Sequence, residues 1–339
     1  MHRGAVAWIL RPLAAIHGIL IRLRWLAYRL NWLKAERFKV PVLVVGNVVA
    51  GGAGKTPLVI ALVKHFQSRG LPVAVVSRGY GRTRQDCVEV QLTTPISASG
   101  DEPALIKHAT SAPVFVAKKR VDAVRCLLKT YPDTALVICD DGLQHYALHR
   151  DIEIAVFDDR GVGNGWLLPA GPLREPWPAR QRRGVDLVLH TGQVPAFHGF
   201  TSTRRLSAFA LSADGSKTPL SELGAQPLIA LAGIATPNAF FSMLASLGLH
   251  LQKTIALPDH HEFQAWDKNF FAVDCLNHTV LCTEKDAVKL FSKQIPPTQK
   301  VLAVPLEFVP ESAFFEAVDT LVAPLLRRVN SQVPSAHGH

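Results

Sequence analysis

The sequence predicts an α/β fold: a P-loop NTPase-like, doubly wound, mostly parallel sheet, a second and smaller α/β domain, and an N-terminal amphipathic helix. Three observations carry this. Aliphatic, β-branched runs without polar alternation recur at residues 40–46, 73–77, 114–117, 136–140, 152–157 and 186–190, the pattern of strands buried on both faces. Helical stretches alternate with several of them, as parallel crossovers require. The first run leads into a glycine-rich loop ending in Gly-Lys-Thr, followed by an apolar helical stretch over 58–66.

With 339 residues, at very roughly 150 per domain, the chain is long enough for two domains. Hydrophobic residues make up 48% and charged residues 19%, which supplies a sizeable core and excludes wholesale disorder. The cysteines (Cys87, Cys126, Cys139, Cys275 and Cys282) are odd in number and never spaced as CxxC. That excludes a disulfide framework and a cysteine zinc site and fits a reducing compartment. The divisions read from composition are 1–35 as a membrane-associated helix, 36–200 as the P-loop domain, 201–226 as a polar linker, 227–325 as the smaller domain and 326–339 as a tail.

The net charge is +10, yet residues 1–39 hold eight Lys and Arg against a single acid, Glu36. A nucleic-acid binder more often spreads its basic patch over the folded body, so no nucleic-acid partner is expected. Within this segment Ile9, Leu13, Ile16, Leu20, Leu23, Ala27 and Leu30 recur at helical spacing and form one stripe. The longest uncharged run, 12–21, is well short of the ~20 residues that cross a bilayer. Arg11-Pro12 interrupts a signal-peptide pattern. A basic amphipathic helix lying in the membrane interface fits; the alternative is an ordinary first helix whose stripe packs on the body.

The loop Val49-Ala50-Gly51-Gly52-Ala53-Gly54-Lys55-Thr56 stands between a strand and a helix, the context of a phosphate-binding loop. Gly51, Gly52 and Gly54 let backbone N–H groups turn toward phosphate oxygens. Ala53 contributes its own amide, Lys55 reaches the β/γ-phosphates of ATP, and the Thr56 hydroxyl is placed for Mg²⁺. One departure stands out: Val49 occupies the position of the usual first glycine. Asp140 and Asp141 end the 136–140 strand run, where a metal-holding acid belongs. Alternation along a strand points only one of the two fully at the metal, and Asp-Asp-Gly also suits a solvated turn. In Gly100-Asp101-Glu102-Pro103 composition favours a helix N-cap role for Asp101.

Taken together these segments resemble the tetraacyldisaccharide 4′-kinases of lipid A biosynthesis. The resemblance runs through Gly46-Asn47, Gly51 to Pro57, Ser77-Arg78-Gly79-Tyr80-Gly81, Gly100 to Pro103 and Asp140-Asp141-Gly142-Leu143-Gln144-His145. It continues in Leu168 to Pro176, Asp259-His260-His261 and Thr283-Glu284-Lys285-Asp286-Ala287. It implies ATP and Mg²⁺ as cofactors, with Lys55 and Thr56 at the phosphates and metal. Asp140 and Asp141 would serve the metal with Glu102 nearby and Gln144 assisting. Asp101 would act in catalysis with His260 as a carboxylate–imidazole pair, which reverses the N-cap preference. Arg174 would stabilise transferring phosphoryl charge or bind substrate phosphate. The implied substrate is an acylated glucosamine disaccharide 1-phosphate, met at the cytoplasmic face of the inner membrane of Gram-negative bacteria. Membrane lipids would be the other partner, with no obligate protein partner.

Two other readings compete. A membrane-associated P-loop switch ATPase often carries Lys-Gly-Gly-x-Gly-Lys-Thr, but Ala50 stands where that extra lysine belongs. A non-enzymatic nucleotide-binding scaffold would have no use for the full set of acids and His260.

Overall fold

The structure, a computed structural model, describes residues 4–83, 86–178, 185–259, 261, 263, 278–291 and 299–330. In chain order the first part comprises α1 (Ala5–Ile9), α2 (Arg11–Arg29), β1 (Val42–Gly46), α3 (Lys55–Gln67), β2 (Val73–Ser77), β3 (Val88–Glu89), α4 (Ile96–Ser99), α5 (Asp101–Thr110), β4 (Val114–Val116), α6 (Arg120–Thr130), β5 (Leu136–Asp140), β6 (Ile152–Phe157), β7 (Leu187–His190) and β8 (Phe200–Leu206). Then follow β9 (Phe209–Leu211), β10 (Lys217–Pro219), β11 (Leu228–Ala232), α7 (Pro237–Ser246), β12 (Leu251–Ala256), β13 (Thr279–Thr283), α8 (Glu284–Leu290), β14 (Val301–Val304), β15 (Leu306–Pro310) and α9 (Ser312–Asn330).

Two mostly parallel sheets result. The larger has the order β15-β8-β7-β6-β1-β5-β2-β4-β3, with antiparallel pairing only at its two edges. Its central strands are buried along their whole length, which explains their unbroken aliphatic character. Leu58, Leu62 and Phe66 of α3, Ile106 of α5, and Phe314, Val318 and Val322 of α9 cover one face. Val121, Val124 and Leu127 of α6 belong to the core on the other. β1 lies between β5 and β6, so the loop after β1 and the acids ending β5 emerge side by side at the carboxyl ends of neighbouring parallel strands. Ligands gather at such positions in open α/β sheets.

The smaller sheet has the order β10-β9-β14-β13-β11-β12, with β12, β11, β13 and β14 parallel. Here the structure departs from the reading of 201–226 as a linker. That segment contributes β8 to the large sheet and β9 and β10 to the small one. Its polar sequence, Thr-Ser-Thr-Arg-Arg, suits a strand near a sheet edge with one wet face. The chain also returns: β15 pairs with β8, and α9 packs on the large sheet. The first body is therefore completed by residues the sequence assigned to the second body and the tail, with α9 running to Asn330.

α2 touches the rest of the chain along a narrow line of small residues. Ala14 and Gly18 are buried, and a Cβ on Gly18 would come within 2.9 Å of Leu167. His17 Nδ1 lies 3.1 Å from the Leu168 carbonyl. Trp8 meets Trp166 edge-on and Tyr28 meets Tyr146. The stripe of Ile9, Leu13, Ile16, Leu20, Leu23 and Leu30 is turned outward, each residue about half exposed or more. Among the described residues no helix is long and apolar enough to cross a membrane.

Candidate active site at the phosphate loop

Side chains from outside the loop, together with Asn47 at its base, hold the carbonyls from Val49 to Ala53. Asn47 Nδ2 donates to Val49 O at 2.6 Å and Gly51 O at 3.1 Å. Arg160 donates to Ala50 O at 3.2 Å and Gly52 O at 3.1 Å. The Thr191 hydroxyl donates to Ala53 O at 2.9 Å. With the carbonyls tied back, the amides at the start of α3 are left for an anion. Gly54 caps that helix at φ +79°, a conformation costly to a residue with Cβ, and a Cβ there would also collide with the Arg204 guanidinium.

Val49 replaces the usual glycine without strain. Its backbone lies outside the left-handed region; it is buried and bridges Leu173 in an antiparallel step. The missing glycine is thus no defect at a position used for pairing.

Lys55 and Thr56 open α3, both buried. Lys55 Nζ lies 3.4 Å from Asn47 Oδ1 and 3.6 Å from Asp141 Oδ1. The two adjacent acids have different surroundings. Asp141, at φ +48°, turns its carboxylate to cations, with Arg174 Nη1 3.4 Å from both of its oxygens. Asp140 is fully buried. Its Oδ2 accepts from Ser77 at 3.2 Å, while Oδ1 has no hydrogen-bond partner among the described residues. Burial above all, then the charges of Glu102 and Asp141, pushes the Asp140 carboxyl up to about 7 against the pull of Lys55 and Arg120. A buried carboxylate oxygen without a hydrogen-bond partner, beside two more acids, is suited to a divalent cation.

That donor set fits Mg²⁺. No group of three or more His, Cys, Asp and Glu disposed for a metal occurs among the described residues. Mg²⁺ at a nucleotide needs none, because it keeps waters and takes phosphate oxygens, with one or two protein ligands. Gln144 stands one step back, donating to Asn47 O at 3.1 Å.

Asp101 is not an N-cap. Gly100 holds that position at φ +86°, where a Cβ would meet the Tyr80 carbonyl at 2.8 Å. Asp101 is the first helical residue, and its Oδ2 lies 2.8 Å from Lys289 Nζ, on α8 of the other body. Lys285 of the same helix pairs with Asp259 at 2.9 Å. His260, the proposed partner of Asp101, lies outside the described residues.

Several residues escaped the sequence reading. Arg120, buried at the start of α6, donates to the Asp141 carbonyl at 2.7 Å. Burial first, then the charges of Arg120, Arg150, Arg24 and Arg78, holds the His145 imidazole down to about 4. These arginines come from four separate segments, so no local pattern announces the cluster. Arg160 is a second omission; its counter-ion, Asp158, holds it at 2.7 Å. Arg160→Ala should raise the KM for ATP about tenfold with kcat little changed, since two charge-assisted bonds to the loop are lost at a half-exposed site. ATP titrations of initial rate check this; an unchanged KM sinks the clamp.

Comparison with known proteins gives the family. Residues 6–323 match the family described as tetraacyldisaccharide-1-P 4′-kinase. A protein of Polaromonas naphthalenivorans named tetraacyldisaccharide 4′-kinase is 66% identical over 99% of this chain and 96% of its own. One so named from Acidovorax sp. is 50% identical over 96% of this chain and 93% of its own. The crystal structure of the “apo” form of LpxK from Aquifex aeolicus in complex with ATP superposes with a TM-score of 0.81 at 27% identity, covering 95% of this chain and 99% of that one. Match length, identity and a shared fold together place this chain in the tetraacyldisaccharide-1-P 4′-kinase family.

Proposed function

We propose that this enzyme transfers the γ-phosphoryl group of ATP to the 4′-hydroxyl of a tetraacylated glucosamine disaccharide 1-phosphate, giving the 1,4′-bisphosphate precursor of lipid A. The observation that carries it is the loop after β1, with its carbonyls tied back and Lys55 facing Asp141, beside a buried Asp140 oxygen without a hydrogen-bond partner among the described residues. That is a site for phosphoryl transfer, in which positioning and charge neutralisation dominate.

In this reading the loop amides and Lys55 hold the phosphates, and Arg174 neutralises charge on the group in transit. Thr56 and Asp140 are the residues that would hold Mg²⁺, with Glu102 and Asp141 at the margin; bound there, it would supply charge neutralisation for the phosphates. The sugar oxygen forms the new bond to the γ-phosphorus while the β–γ bridging bond breaks and ADP leaves. A sugar hydroxyl is a weak nucleophile, so its proton passes to a base: His260, working with Asp101. The arginines around His145 suit the substrate's own phosphate. The outward stripe of α2 and the basic N-terminus support a helix lying in the interface at the cytoplasmic face of the inner membrane, where the acyl chains stay in the bilayer.

Incubation of a monophosphorylated acyl-disaccharide with enzyme, Mg²⁺ and ATP, read by mass spectrometry, tests the reaction. One phosphoryl group gained on the distal sugar is the expected product. Phosphate released only in inorganic form would point instead to a switch ATPase.

A further inference from the structure

Lys289 belongs to α8, in the smaller body, yet its ammonium is part of the surroundings of Asp101. Nζ lies 2.8 Å from Asp101 Oδ2, the two side chains being only 4% and 7% exposed. The same Nζ donates to the backbone carbonyl of His261 at 2.9 Å. Lysines almost always keep the head group in water, and drying an ammonium and a carboxylate costs several kcal/mol per ion. Apolar side chains would fill the space without that cost, so stability alone is a poor account of the pair.

The helix presenting Lys289 is itself fixed. Thr283 Oγ1 caps it by accepting from the Asp286 amide at 3.2 Å. The buried Asp286 carboxylate accepts from the Thr283 hydroxyl at 2.6 Å and from Gly233 N–H, beyond β11, at 3.0 Å. One turn before Lys289, Lys285 holds the Asp259 carboxylate at 2.9 Å. α8 thus holds both Asp259 and the His261 carbonyl, and the second hold is also the one on Asp101. This gives the Thr-Glu-Lys-Asp-Ala segment, conspicuous in the sequence but without a role in the reaction above, something to do.

We propose that Lys289 is a positioning residue for phosphoryl transfer: a buried cation that locks the Asp101 carboxylate to the His261 carbonyl across the two bodies. It touches neither nucleotide nor sugar and acts through Asp101. The proposal rests on the reading that Asp101 takes part in the reaction, and the test separates the two.

Steady-state kinetics are measured on the full chain in detergent micelles with Mg²⁺-ATP and the acylated disaccharide phosphate, for Lys289→Met, Asp101→Asn and the double variant. Lys289→Met should lower kcat some 30- to 100-fold, the scale of a roughly 1 Å misplacement. KM for ATP should stay within threefold, because the phosphate loop is not in the network. In the Asp101→Asn background the same change should move kcat by less than threefold, a non-additivity that a general loss of fold would not give. If Lys289→Met keeps kcat within threefold while Asp101→Asn is crippled, the lock is wrong and the Asp101 reading survives. If Asp101→Asn itself keeps kcat, the Asp101 reading fails and takes the lock with it. Should Lys289→Met not fold, the double variant, which buries no charge at this pair, is read alone: kcat within threefold of Asp101→Asn supports the lock, and tenfold below overturns it.

Discussion

Exchange of Leu13, Ile16, Leu20 and Leu23 together for glutamine is expected to release the enzyme from anionic vesicles without lowering its melting temperature. These side chains are 53%, 54%, 58% and 56% exposed, so the folded body gains little from them. In a bilayer interface each would bury the rest of its apolar surface, worth about 1 kcal/mol or more at ~25 cal/mol per Å². Four such losses add to roughly 4 kcal/mol, on the order of a thousandfold in partitioning at fixed lipid. Sedimentation with phosphatidylglycerol-containing vesicles and a thermal melt of the same samples decide it. A variant that pellets as well as the parent removes the membrane role of this face. A melting temperature several degrees lower would show that the stripe serves the body instead. ATP turnover in detergent should hardly change, because these side chains are more than half exposed.

The second large effect is at Asp140, where activity and stability should move in opposite directions. Asp140→Asn keeps the shape and can still accept from Ser77, but it cannot supply a carboxylate to a cation, so activity should fall about 10²–10³-fold. The carboxyl is pushed up to about 7 from an ordinary value of 3.8, by burial first and then by Glu102 and Asp141. Between those two values the folded metal-free protein holds a proton that the unfolded chain has released. Its stability therefore falls as pH rises through that window, by up to about 1.4 kcal/mol per pH unit for this group. Asparagine removes the penalty. In EDTA at pH 8 the variant should melt above the parent, and the difference should shrink toward pH 4. Added Mg²⁺ should raise the melting temperature of the parent and leave the variant nearly unmoved. A variant that melts below the parent at pH 8 in EDTA would mean that the buried oxygen is not short of a cation.

Much of the first body was legible because its signals are local. The strand at 152–157, the helix begun by Gly54-Lys55-Thr56 and the acids ending the 136–140 run each depend on a few consecutive residues, and the structure has them at or within a few residues of those places. The buried runs read correctly because a strand covered on both faces has no polar alternation to disguise it. Reading 201–226 as a linker failed for the converse reason. β8 carries Thr, Ser and Arg on a strand only partly covered, and its place is set by β7 and by β15, more than a hundred residues later. Asp101 shows the same limit at a single residue. Gly-Asp-Glu-Pro is a sound helix start, and a helix does start there, but nothing near it tells that the carboxylate will face Lys289.

The sequence by itself determined the alternating strands and helices, the glycine-rich loop between the first strand and the helix after it, the acids at the end of the 136–140 run and the spacing of the N-terminal apolar stripe, since each follows from short-range sterics and hydrophobic periodicity. Only the tertiary structure decided which acid is buried with an unpartnered oxygen, which arginines gather around His145 and which braces the loop, and that α8 of one body reaches Asp101 of the other. Those outcomes depend on charge, burial and distance between segments far apart in the chain, and such quantities exist only once the sheets have formed and packed.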